Sequence, residues 1–275
     1  MTLTILLYIV FITWVVMLLR VIIGFVSSDL FIIRQTIARK SKKRTHLPTV
    51  TVLIPAYNEE NVIVRALASV RASNYPAKKL EVIVINDGST DNTENVIKAF
   101  KKAHKVGCKI RLLNRPNGGK AKALNYALKK SVRTSLVMCL DADSFLHRDA
   151  LRNAVQYFRD RKVIALSTNV NVVEDGTLIG LAQRIEYLMG FHIKKGITLL
   201  GINYIIGGAG SMFRYSMLKR AGYYEGNTLT EDLDVTLKIF RAKRRDEKIA
   251  YAHDAITFTE AVHSLRALMR QRYRW

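Results

Sequence analysis

Cysteine is scarce in this 275-residue chain: Cys108 and Cys139 are the two present, and they form no Cys-x-x-Cys pair. Both sit in apolar or strand-like surroundings and read as reduced, buried, structural thiols of a cytosolic domain. Low-complexity tracts and internal repeats are missing too. The length suits one α/β domain of generous size plus an appendage. Acidic residues are few: 22 Asp and Glu stand against 44 Lys and Arg, a formal charge of +22. That excess calls for an anionic partner: nucleic acid, a lipid surface or a phosphorylated substrate. The basic residues are scattered over predicted helices and form no reader motif, which argues against nucleic acid.

Charged side chains are absent before Arg20. Leu3–Leu19 (LTILLYIVFITWVVMLL) is nearly unbroken hydrocarbon, and the run resumes after Arg20 as VIIGFV. Together these reach the roughly 20 residues that cross a bilayer. Arg20 then snorkels to the interface or faces a partner helix. The run is too long for a cleaved signal peptide and has neither a basic leader nor a small-residue cleavage site. It is apolar on every face, unlike a core helix. Arg34, Arg39, Lys40, Lys42, Lys43 and Arg44 follow directly. Positive flanks stay in the cytoplasm, so the amino terminus is expected outside and the rest inside the cell membrane. The basic run also suits anionic headgroups. The expected organisation is a transmembrane helix over 1–28, a basic cytoplasmic linker over 29–47, and an α/β domain over 48–275.

From Pro48 the texture changes. Val50–Ala56 and Glu81–Asn86 read as strands, Lys109–Asn114 as a third and Leu136–Leu140 as a fourth. Helices are predicted from Tyr57 to Ser73, Asn92 to His104 and Ala121 to Ser131. Ser89 or Thr90 is placed to cap the second. The alternation spells a doubly wound parallel sheet. Its strand tips carry Tyr57 and Asn58, Asp87, and the pair Asp141 and Asp143. Ligands of open α/β sheets bind at that edge. Two carboxylates one residue apart, just past a buried strand, can share a hard cation whose other positions go to phosphate.

Further on, a helix is predicted over Ala150–Asp160, a strand over Val163–Val172 and a helix over Gln183–Lys195. Ile205–Phe213 (IIGGAGSMF) lacks the third glycine of a dinucleotide loop, since Phe213 stands there. Its small residues instead let backbone pass close to a ligand. A helix over Thr228–Arg245 follows, with a capping box from Thr228 and Glu231 or a cap from Thr230. Asp232 and Asp234 in its first turn either complement the helix dipole or serve a site. Thr259–Trp275 is a basic amphipathic helix of the kind that lies on a membrane or a partner.

Five short motifs are now in view: Pro55-Ala56-Tyr57-Asn58-Glu59, Asn86-Asp87-Gly88-Ser89, Asp141-Ala142-Asp143, Thr230-Glu231-Asp232 and Gln271-Arg272-Tyr273-Arg274-Trp275. In this order, over Val50–Trp275, they resemble the family-2 glycosyltransferases. Among those the chain is most similar to the processive membrane synthases of cellulose, hyaluronan, chitin and poly-N-acetylglucosamine. The stretches Asn117–Asn125 and Gln183–Lys195 look most like the last.

The resemblance implies a GT-A fold, a UDP-linked sugar donor and an Mg²⁺ or Mn²⁺ ion. On the donor side it implies Tyr57, Glu59, Asp87 and Lys120 around the nucleotide, with Asp141, Arg272 and Arg274 on the diphosphate. Asp141 and Asp143 would hold the metal, and Asp232 would be the base. Trp275, Gly208, Ser211, Glu231 and Gln271 would line the acceptor side. Ser144 stands where some cellulose synthases have His, which leaves the metal ligation open. The acceptor implied is a growing polysaccharide; the alternative is one transfer to a polyprenyl phosphate or other lipid. Relatives of this kind continue past the last motif into interface helices and further spans. The chain is therefore expected to be truncated after Trp275, or to rely on an accessory membrane subunit.

Overall fold

The structure is a computed structural model that describes residues 2–40, 47–199, 206–226, 228 and 230–273. In chain order the elements are α1 (Thr2–Lys40), β1 (Val50–Ala56), α2 (Ile63–Arg71), β2 (Leu80–Asn86), α3 (Thr93–Ala103), β3 (Lys109–Asn114), α4 (Lys120–Lys130), β4 (Leu136–Cys139), β5 (Ser144–Leu146) and α5 (Ala150–Tyr157). There follow β6 (Val163–Val172), α6 (Leu178–Leu199), β7 (Ser211–Arg214), α7 (Tyr215–Arg220), α8 (Glu231–Ala242), β8 (Lys248–Thr259) and α9 (Leu265–Arg272). They form two compact units, residues 1–45 with 188–203, and residues 46–187 with 204–275.

The first unit is built on α1. Its Thr4–Ile33 stretch is long and apolar enough to cross a membrane. Leu7, Phe11, Trp14 and Met17 carry no protein cover. The helix continues to Lys40, through residues expected to be linker. The second half of α6 meets α1 where both are slim. Ser27 and Ser28 are buried there, and a Cβ added to Gly196 would lie 2.6 Å from Ser27 Oγ. Ser28 Oγ and His192 Nδ1 are 3.2 Å apart. Small residues let helix backbones approach this closely. Arg20's side chain lies outside the described residues.

The second unit is one eight-stranded sheet in the order β3-β2-β1-β4-β7-β6-β8-β5. Strands β1, β2, β3 and β4 are parallel, as are β6 and β8. Strand β7 runs antiparallel to both β4 and β6, and β5 antiparallel to β8. The sheet is thus mixed but mostly parallel, as the expected fold class has it, with β5 and β7 as the reversed strands. The three strands absent from the sequence reading are β5, β7 and β8.

Both faces of the sheet are covered, which is why β1 and β2 are apolar at almost every position. Val52, Ile54, Val82 and Val84 pack against Ile63, Leu67 and Val70 of α2, Ile97 of α3 and Leu151 of α5. Leu53, Ile83, Ile85 and Val137 pack on the other face against Leu124 and Leu128 of α4, Leu218 of α7 and Val235 and Ile239 of α8. Two helix starts differ from expectation. Ser89 accepts from Asn58 N–H rather than capping α3, where Asp91 accepts from Thr93 N–H instead. Thr230 precedes α8 but makes no side-chain cap bond.

Leu53 lies in the middle of the sheet, fully buried and away from the strand tips. Leu53→Ala should cost about 2–5 kcal/mol, the range for deleting a buried leucine side chain. Urea unfolding of the detergent-solubilised protein would read this as a lower midpoint at unchanged slope.

Candidate active site

The parallel pairing puts Ala56 level with Asn86, and Leu53 level with Cys139. Tyr57, Asp87 and Asp141 therefore leave the sheet at one edge. Two of the loops beyond it are fastened together. Asn58, at φ +56°, accepts from Thr90 N–H at 2.8 Å and Asp91 N–H at 3.4 Å through Oδ1. Glu59 N–H donates to Thr93 Oγ1 at 2.8 Å. Asparagine tolerates this left-handed backbone because its short amide bonds locally. Tyr57 stands above the clasp, about half exposed.

Asp87 is buried and fully engaged. It accepts from Arg115, and from Gly118 and Gly119 N–H at 3.2 and 2.7 Å. In this structure it holds the 115–119 loop down on the sheet. Gly88 makes the turn at φ +73°, with no room for a Cβ beside Asn117 N. Arg115 was missed from sequence because nothing marks it out among the other arginines.

Lys120 opens α4 and bridges two carboxylates. Its Nζ is 2.7 Å from Asp141 Oδ1 and 2.8 Å from Glu231 Oε1. Burial works to lower the ammonium's pKa, but Asp141 and Glu231 outweigh it and hold it raised. Strand β7, antiparallel to β4, begins at the edge where β4 ends, with Gly210 N–H donating to Cys139 O at 2.8 Å. Gly208 is thereby delivered to the same place. A Cβ on Gly208 would lie 3.3 Å from Lys120 Nζ, and 3.7 Å from both Asp141 Oδ2 and Asp232 Oδ2. Thr236 ties this segment to α8: its hydroxyl accepts from Ile206 N–H at 3.2 Å and donates to Asp232 O at 2.6 Å.

Asp232 Oδ1 accepts from Leu233 N–H at 2.9 Å. Its pKa is raised, first by burial and then by Glu231, against the Leu233 N–H and Lys120. Behind Lys120 is a small cavity whose walls include Leu124, Cys139, Phe213, Tyr224 and Ser211. Ser211 is buried in β7, its hydroxyl donating to Gly208 O at 3.1 Å. Tyr224 Oη and Cys139 Sγ are 3.2 Å apart. Asn125 pins the Tyr224 backbone through both its N–H and its carbonyl.

Asp143 is open to solvent at the rim, yet protein crowds its other side. That desolvation, then Asp141, raises its pKa. Ser144 Oγ donates to it at 3.0 Å. The antiparallel pairing of Ser144 with Thr259 sets Glu260 next to Asp143. Arg65 pairs with Glu260 at 3.2 Å and covers the Phe145 ring. Glu59 is pushed up to about 7 by desolvation, Asp143 and Asp141, with Asp91 and Glu260 adding to them. Glu260 escaped the sequence reading because β8 itself did.

On the far side, Arg272 pairs with Glu186 of α6. Tyr187, next to Glu186, has its pKa raised by burial, lowered by Arg272, and raised by Glu186, Asp143 and Asp141. The phenol thus lies within reach of both the acidic cluster and the guanidinium. Gln271 is half-buried on α9. Arg274 and Trp275 lie outside the described residues. The described site therefore gathers Glu59, Lys120, Asp141, Asp143, Gly208, Ser211, Glu231 and Asp232 at one edge.

Residues 51–222 match the family described as Glycosyl transferase family 2. The chain belongs to that family. It is 34% identical over 229 residues to a poly-beta-1,6-N-acetyl-D-glucosamine synthase of Staphylococcus epidermidis, covering 82% of this chain and 53% of the relative. It is also 34% identical over 232 residues to the synthase of that name from Staphylococcus aureus strain MSSA476, covering 83% and 54%. The chain spans about half the length of the curated relatives it matches. Among solved structures it is similar to a mannosyltransferase from Pyrobaculum calidifontis in complex with GDP-Man and Mn²⁺. The TM-score is 0.68 at 27% identity, over 91% of this chain and 69% of that one. S. aureus TarS 1–349 in complex with UDP-GlcNAc gives 0.58 at 20% identity, over 78% and 59%. These likenesses show the GT-A fold of the family.

Glu59 offers a test of the charge cluster. Its folded pKa of about 7 lies above the ordinary 4.5, so the folded state holds the proton more tightly than the unfolded chain. The stability it contributes is present below pH 4.5 and is lost as pH rises to about 7. Glu59→Gln should therefore raise Tm at about pH 8 and change it little near pH 5 in metal-free buffer. Thermal unfolding at the two pH values measures it.

Proposed function

We propose that this chain is the membrane-anchored catalytic part of an inverting glycosyltransferase. It moves N-acetylglucosamine from a UDP-linked donor to the end of a growing β-linked polysaccharide at the cytoplasmic face. The observation that carries the reading is the meeting of Lys120, Asp141 and Asp232 around the bare backbone of Gly208. That is a gap for a reacting sugar with a cation, a metal-type carboxylate and a base on its walls. The similarity to poly-beta-1,6-N-acetyl-D-glucosamine synthases over most of this chain supports the choice of sugar. The apolar Thr4–Ile33 helix and the basic residues that follow it support a single span with the catalytic unit inside.

The donor set suits a divalent ion. Asp141 and Asp143 are hard oxygen donors one residue apart, and desolvation, then the Asp141 charge, raises the Asp143 pKa. The mannosyltransferase neighbour, solved with GDP-Man and Mn²⁺, supports the same reading. Asp141 and Asp143 would hold the Mg²⁺ or Mn²⁺ ion, which would supply charge neutralisation for a diphosphate. Among this chain's own groups, Tyr57 offers a flat face to the nucleotide base. Asp87 holds the loop that presents Lys120. Arg272 exchanges Glu186 for phosphate oxygens, which its planar fork matches. Asp232 takes the proton from the acceptor hydroxyl, and its raised pKa makes it the better acceptor. Glu231 stays on Lys120 and keeps the first turn of α8 in place. A single displacement inverts the anomeric carbon, so an α-linked donor gives a β-linked product. Arg274 and Trp275 complete the proposal from sequence: Arg274 on the diphosphate, Trp275 as the platform on which the acceptor sugar stacks.

Release of UDP from UDP-N-acetylglucosamine and other UDP-sugars, in detergent with and without Mn²⁺, tests the assignment. Asp232→Asn should lower kcat by about 10²–10⁴-fold, the usual worth of a general base, with donor affinity kept. Asp143→Ala should abolish the response to Mn²⁺ and weaken UDP binding. Full turnover in both variants would sink these roles. Electrophoresis of the labelled product decides the acceptor: a ladder supports polymer extension, and a lone lipid-linked monosaccharide supports a single transfer to a polyprenyl phosphate or other lipid.

A further inference from the structure

We propose that Arg65 and Glu260 set the charge at the metal-holding end of the site. Glu260 strengthens the hold of Asp141 and Asp143 on the cation, and Arg65 is a positioning residue that keeps the Glu260 carboxylate out of the ligand set. The inference rests on the reading of Asp141 and Asp143 as the residues that hold the metal.

Strand β5 starts one residue after Asp143 and pairs with the end of β8, Ser144 level with Thr259. The next step along that ladder puts Glu260 opposite Asp143. Like charges that face each other across strands repel. Desolvation and Asp141 come first in raising the Asp143 pKa, and Glu260 adds to them. Lys120 is committed to Asp141 and Glu231, so the cation laid against Glu260 comes from elsewhere. It is Arg65 of α2, whose Nη1 donates to Glu260 Oε1 at 3.2 Å.

The guanidinium is seated as well as paired. Its central carbon lies 3.7 Å from the centre of the Phe145 ring, a cation–π contact. Phe145 stacks at 5.1 Å on Phe258, its partner in the ladder. One turn further along α2, Ser69 Oγ accepts from Leu146 N–H at 3.0 Å. Helix α2 thus grips the strand that leaves Asp143 at two points, and the ring fixes where Arg65 lies. The Arg65 and Glu260 side chains are 48 and 37% exposed. An ion pair this open adds little to stability, but a unit charge beside a divalent ion still counts in its binding.

Sites for Mg²⁺ take one or two carboxylates and leave the other positions to phosphate and water. A third free carboxylate at Asp143 would retain the ion when the spent diphosphate has to leave. Arg65 occupies that carboxylate and keeps the protein's share at two, while the charge of Glu260 still favours a cation nearby.

Mn²⁺ binding to the full chain in detergent, read from the electron paramagnetic resonance signal of free Mn²⁺ with and without UDP, tests this. Glu260→Gln should weaken Mn²⁺ binding about three- to tenfold, and Arg65→Gln should tighten it by a similar factor. The two substitutions together remove both charges and should return binding close to wild type. Unchanged binding in Glu260→Gln, or unchanged or weaker binding in Arg65→Gln, overturns the proposal and leaves the metal reading intact. Thermal unfolding checks that each variant folds; should Arg65→Gln fail to, Glu260→Gln decides alone. Wild-type protein that takes up no Mn²⁺ even with UDP present overturns the metal reading itself.

Discussion

One ammonium group holds the site together. Lys120 sits between Asp141, from the end of a central strand, and Glu231, from the first turn of α8. Those residues are ninety positions apart in sequence and belong to different layers of the fold. Carboxylates crowd the edge: desolvation and then Asp143 and Asp141 raise Glu59, desolvation and then Asp141 raise Asp143, and burial and then Glu231 raise Asp232. Like charges so close cannot all stay ionised without compensation. Lys120 supplies part of it from within the protein. The remainder of the acid charge is what a cation and a guanidinium are suited to meet.

The mixed sheet is the means by which these groups converge. In a wholly parallel sheet every strand would start at the opposite edge and only end at the carboxyl edge. Strand β7 does the opposite: it starts at that edge and carries Gly208 in beside Lys120. Strand β5 also starts at that edge, and its antiparallel pairing with the end of β8 brings Glu260 to Asp143. Reversed strands therefore fill the half of the site that parallel strand tips leave open.

This explains what was legible in the sequence. Strands β1, β2, β4 and β6 were, because they are largely buried and announce themselves as apolar runs, and the half-buried edge strand β3 was placed by the alternation around it. Tyr57, Asp87 and Asp141 could be placed because each follows such a run. Strand β8 was not, since its twelve residues mix polar and small side chains, and Glu260 went unseen with it. Three-residue β5 and four-residue β7 are too short to show a period. Hydroxyls near helix starts misled for another reason: Ser89 had a better partner in Asn58, across the edge, than in its own helix. The raised pKa of Asp232 comes first from burial, which no local pattern could reveal.

Gly208 bears on how such a protein can be silenced. Its backbone has no left-handed angle to protect, and the atom nearest a new methyl is the tip of a flexible lysine. Folding does not demand glycine there; the vacancy between opposed charges does. A single added carbon would stand between Lys120, Asp141 and Asp232 while leaving the scaffold intact, so on the proposed reading a well-formed but inert version of this molecule lies one codon change away.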